Sequence, residues 1–164
     1  MTEGLSNSGQ GSFTLGLPVF LMRLSSVLFL FLTAGHMSAY PWSSAGSPPE
    51  ARLALSMKSI DFTFMGERST YWSLYFGWGL LVGLLLFTIA TMLWLLSDLA
   101  RLAPRRVGMM TGLIATASGI GAYLSFRFFY VPPTLSFAAT GVALLIATVR
   151  LLKAPARSAR AMAF

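Results

Sequence analysis

Four long apolar stretches separated by short polar or basic segments set the pattern of this chain, over residues 18–37, 71–96, 108–129 and 134–152. A helix needs about 20 predominantly apolar residues to cross the hydrocarbon layer of a bilayer, and each stretch has that length. The pattern predicts an all-α protein, a bundle of four transmembrane helices. Pro132 and Pro133 close the third span and open the fourth, because proline fits a first helical turn. Pro104 breaks the segment between the second and third spans in the same way. After the first span, Ser47-Pro48-Pro49 is a stop, and Leu53, Met57, Ile60 and Phe64 then recur at helical spacing. A short amphipathic helix is therefore expected in the first outer loop, lying on the membrane or capping the bundle, with Asp61 and Gly66 at its end.

The first span reads as a retained helix. A cleaved signal peptide would put Ser43-Ser44-Ala45 at the cleavage site, but no positive segment precedes the apolar run and Arg23 lies in its first turns. From that depth Arg23 reaches back to the headgroups. The expected organisation is a flexible Gly/Ser-rich tail over 1–16, a membrane domain over 17–153 and a basic tail over 154–164.

Composition narrows the chemistry. Of 164 residues 55% are hydrophobic and 10% charged, against about 25% charged in soluble domains. One four-helix bundle uses the whole length, which leaves no room for a soluble catalytic module. The chain has no cysteine, which excludes disulfides, thiolate nucleophiles and iron–sulfur clusters within it.

The net charge of +7 is read by position. Arg101, Arg105 and Arg106 separate the second and third spans, and Arg150, Lys153, Arg157 and Arg160 follow the fourth. Cytoplasmic loops collect Lys and Arg, so both segments and both termini are expected inside, against anionic lipid headgroups. No nucleic-acid module accompanies the charge. Trp42 and Trp72 then mark the outer interface and Trp94 the inner one. Asp98 beside Arg101 reads as a solvated helix end. Gly79 and Gly83, and Gly108 and Gly112, are spaced to form grooves that let helices approach closely.

Candidate chemistry gathers on the outer side. The single histidine, His36, ends the first span, and Glu50, Asp61, Glu67 and Arg68 lie in the loop that follows. If the second helix begins near Arg68, then Arg68, Tyr71, Trp72, Tyr75 and Gly79 share one face by the three-and-four rule. A hairpin brings that face beside His36. The candidate ligand-binding set is therefore His36, Asp61, Glu67, Arg68, Tyr71, Trp72 and Tyr75. Each also has a plain structural reading: His36 as an interhelical hydrogen-bond donor, Arg68 on loop carbonyls or Asp61, and the aromatics as interfacial anchors.

Gly35-His36, Pro41-Trp42, Met57, the run Phe62-Thr63-Phe64-Met65-Gly66-Glu67-Arg68-Ser69 and then Tyr71-Trp72 and Tyr75-Phe76-Gly77-Trp78-Gly79 carry a resemblance. In this combination the chain resembles a bacterial family of small, uncharacterised four-helix integral membrane proteins, over roughly residues 20–145. Its architecture is more loosely similar to DoxX-like bundles. The resemblance implies a fold and a candidate site but no reaction, since fold does not transfer activity.

Three function classes follow. The first is a protein that binds a lipid-like or quinone-like molecule, or docks on a larger membrane complex as an accessory subunit, with membrane lipids as its surroundings. The second is a membrane-embedded enzyme on an apolar substrate, with His36 as acid or base, Asp61 or Glu67 orienting it and Arg68 stabilising negative charge. No catalytic signature supports that class. The third is transport, for which four short helices offer little room. A bis-histidine haem within one chain is excluded by the single His, and no spacing marks a metal site.

Overall fold

The computed structural model describes residues 15–39 and 46–155. Trp42, Ser43–Ala45, Arg157, Arg160 and most of the N-terminal tail lie outside the described residues. Four helices are long and apolar enough to cross a membrane: α1 (Gly16–Ala39), α3 (Tyr71–Leu99), α4 (Pro104–Phe128) and α5 (Val131–Leu152). Between α1 and α3 come a shorter helix, α2 (Pro48–Ser59), and two strands, β1 (Asp61–Phe64) and β2 (Glu67–Thr70). The protein is an all-α four-helix membrane bundle with a small appended hairpin.

The expected short helix is present, but it stops earlier than its apolar spacing suggests. Ile60 is already extended, and Phe64 lies in β1 rather than on a fourth helical turn. The reason is local. Met65 and Gly66 both have positive φ, 50° and 90°, the backbone of a two-residue turn that matches the twist of paired strands. Phe64 pairs with Glu67 and Asp61 with Thr70 across it. Phe62-Thr63-Phe64 suits a strand better than a helix. Consequently α3 begins at Tyr71, where the Thr70 hydroxyl caps it by accepting from the Ser73 N–H at 3.1 Å. Arg68 is a strand residue, so it does not continue the face of Tyr71, Trp72 and Tyr75.

In the bundle, α1 packs against both α3 and α5, and α4 packs against α5, while the sequence neighbours α3 and α4 touch little. Met22, Leu93, Leu144 and Leu151 are fully buried at the centre. Between them lie small and hydroxylated residues, which let helix backbones approach where lipid supplies no hydrophobic drive. Ser26 donates to the Ala90 carbonyl at 2.7 Å, linking α1 to α3. The glycine grooves are used for this packing. A Cβ on Gly83 would run into Met37 Sδ, and Gly108 and Gly112 lie against Leu151, Leu152 and Thr148 of α5. Phe20, Leu84, Leu113 and Phe126 face outward, as residues in contact with acyl chains do.

One end of the bundle carries the hairpin and the other the basic residues. At the basic end Arg23 donates to Asp98 at 2.7 Å and to Ser97 Oγ at 3.2 Å, and its guanidinium lies 5.1 Å from the Trp94 ring centroid. This adds a contact that the sequence did not show. Arg23 engages α3, and Asp98, a half-exposed residue at the helix end as expected, is also the partner of a cation 75 residues away. A cation on a membrane helix is stabilised by such a partner.

Candidate functional site

At the hairpin end the four long helices line a half-open cavity of about 540 Å³, within the range of small-molecule sites. Each wall is one helical stripe. On α1, Phe31, Leu32, Gly35 and His36 face it; on α3, Tyr75, Trp78, Gly79, Val82 and Leu86 do. These spacings of three and four place residues on one side of a helix. The remaining wall comes from Ser125 on α4, the connection at Phe129 and Tyr130, and Pro132, Pro133, Ser136 and Phe137 on α5. The prolines start α5 tightly after α4, which holds this corner in place. Because the cavity lies between α3 and the α4–α5 pair, these two walls stay apart.

His36 is fixed by α3. Its Nε2–H donates to the Gly79 carbonyl at 2.9 Å, which in the neutral ring leaves Nδ1 as the acceptor nitrogen. Glycine matters at this crossing because Gly83 meets Met37 and lies close to His36 Cδ2 (3.7 Å from a Cβ built there). On the opposite wall Phe137 packs edge-on to Phe29 at 5.9 Å. A Cβ at Gly121 would come within 3.0 Å of its ring, so Gly121 gives Phe137 the room to stand there.

The seven residues singled out from the sequence separate into two groups. His36 and Tyr75 line the cavity. Asp61, Glu67 and Arg68 sit on the hairpin, where Arg68 donates to Asp61 at 2.6 Å with both side chains at least half exposed. Tyr71 packs on Phe62 at 5.0 Å, and Trp72 lies against Tyr75 with Lys58 4.6 Å above its ring. These contacts pin α2 and the hairpin to the start of α3. Among the described residues, none from α2 or the hairpin lines the cavity. Nor do three His, Cys, Asp or Glu side chains gather anywhere among the described residues to hold a metal ion.

The lining residues that sequence reasoning missed are chiefly Trp78, Ser125, Phe129, Tyr130, Ser136 and Phe137. The Tyr75–Trp78–Gly79–Val82–Leu86 stripe was available as a helical repeat. The α4 and α5 residues were not, because nothing in the apolar pattern states that α5 packs on α1.

No family model, curated protein or solved structure matches this chain. Its functional reading stands on the geometry.

Proposed function

We propose that this integral membrane protein binds a lipid-like or quinone-like molecule in the cavity at its hairpin end. The observation that carries this reading is the wall itself: aromatic and glycine surfaces around a few polar groups, with His36 held in place by Gly79. Such walls accept flat or branched apolar groups, and the polar groups orient one end. The seam between α3 and α4, where the helices touch little, is the side entrance from the bilayer. A second reading, docking on a larger membrane complex, is favoured by the hairpin tip, where Phe64 and Met65 are 67% and 90% exposed.

Native mass spectrometry of gently purified protein with lipid extraction tests the binding reading. A small molecule that co-purifies with the wild type is expected to remain in Arg68→Ala, whose side chain lies away from the cavity. It is expected to fall about 10-fold or more in His36→Ala, since a lost polar anchor and a loosened α1–α3 crossing act together. Equal loading of all three proteins would count against the cavity as the site.

For orientation, Arg101, Arg105, Arg106, Arg150 and Lys153 crowd the end opposite the hairpin, which supports placing that end and both termini in the cytoplasm of a bacterial inner membrane. Because the chain has no cysteine, single thiols report this directly. Met65→Cys is expected to react with a membrane-impermeant maleimide on intact spheroplasts, and Arg101→Cys only after permeabilisation. The reverse pattern would invert the topology.

A further inference from the structure

We propose that the molecule held in this cavity is an uncharged lipid headed by a hydroxyl or carbonyl oxygen, and that Ser125 hydrogen-bonds that oxygen. This deepens the binding reading above and rests on it. Among the described residues the lining contains no Asp, Glu, Lys or Arg. An ionised phosphate or carboxylate entering it would lose part of its hydration and meet no counter-charge in the lining, a loss that a few hydroxyls do not offset. A neutral oxygen loses far less and needs one or two hydrogen-bonding groups.

Ser125 is the buried serine in the lining that can supply one. It is 4% exposed and lines the cavity, yet its hydroxyl makes no hydrogen bond among the described residues. Several helical hydroxyls turn back to the backbone: Ser118 donates to the Ile114 carbonyl at 2.8 Å, and Ser136, also in the lining, to the Pro132 carbonyl at 2.9 Å. Ser125 does not. Ser25 and Thr148 are also buried without a partner among the described residues, but they do not line the cavity. A buried hydroxyl is rarely left without a partner, and one that faces a cavity finds it in what fills the cavity. A serine hydroxyl donates to a carbonyl or accepts from an alcohol equally well, so it suits both heads and gives a phosphate no charge. Trp78, Val82, Leu86 and Phe137 remain as the wall for the apolar tail.

Two probes with one tail and different heads test this: farnesol and farnesyl phosphate, titrated onto the full-length protein in micelles and read by native mass spectrometry. Farnesol is expected to bind at least about 10-fold tighter than its phosphate. Ser125→Ala is expected to weaken farnesol about 2- to 10-fold, the effect of one neutral hydrogen bond, with its unfolding temperature close to wild type. Tighter or equal binding of the phosphate overturns the uncharged head. Unchanged farnesol affinity in Ser125→Ala overturns the role of that hydroxyl. If farnesol binds equally to wild type and to Gly35→Leu, which fills the cavity, or if neither probe binds the wild type, the binding reading itself fails and this inference with it.

Discussion

Gly35→Leu is expected to empty the cavity while leaving the bundle folded. Gly35 lies on the α1 stripe with Phe31, Leu32 and His36, and a Cβ built on it meets no neighbouring atom within 4 Å. The leucine side chain therefore grows into the space that a ligand would take. It also replaces a helical glycine, which favours the helix by roughly 0.5–1 kcal/mol. Overfilling a packed volume costs about 1–3 kcal/mol, so ligand affinity is expected to drop roughly 10- to 100-fold. The unfolding temperature of the ligand-free protein should hold or rise. Both are read from one preparation, by native mass spectrometry and thermal unfolding. A variant that stays fully loaded would move the site elsewhere.

The second large effect concerns stability and comes from the α4–α5 contact. Gly108→Ala places a Cβ 3.0 Å from Leu151 Cβ, an atom fixed to the α5 backbone, so α5 itself must shift. Gly112→Ala meets the Thr148 methyl at 3.2 Å, which moves by side-chain rotation, and Gly119→Ala meets nothing within 4 Å. The expected order of destabilisation is Gly108 first, at about 1–3 kcal/mol, then Gly112. Gly119→Ala is expected to be neutral or slightly stabilising, since helical glycine is itself unfavourable. Thermal or denaturant unfolding in detergent ranks the three. Equal losses at all three positions would mean that the glycines act through helix propensity and not through close packing.

The spans were legible in the sequence because crossing a bilayer is set by composition and length, and both can be counted along the chain. The second span starts at Tyr71 as counted, where Thr70 caps it, while other ends moved by a few residues, as where Pro104 begins a helix earlier. The hairpin was missed because Leu53, Met57, Ile60 and Phe64 keep a helical spacing through it; two positive-φ residues, Met65 and Gly66, override that spacing. Arg23 and Asp98 gave no local sign of one another, being 75 residues apart. For the site, His36 and Tyr75 were readable as polar and aromatic groups at the end of a hairpin of spans. Ser125 was not, because a serine in an apolar span reads as packing until the helix beside it is known.

The pairing of helices also bears on the order in which the molecule is assembled. α1 and α3 hold each other through Ser26 and Arg23, and α4 and α5 through the glycine contacts, so the chain forms two modules joined by a short connection near Pro104. The α1–α3 contact can form as soon as α3 has entered the membrane, and segments that emerge first tend to fold first. The second waits for α5, and only when α5 docks on α1 do both sides of the cavity exist. The cavity is thus the last element to form, and it reports that the two halves have met.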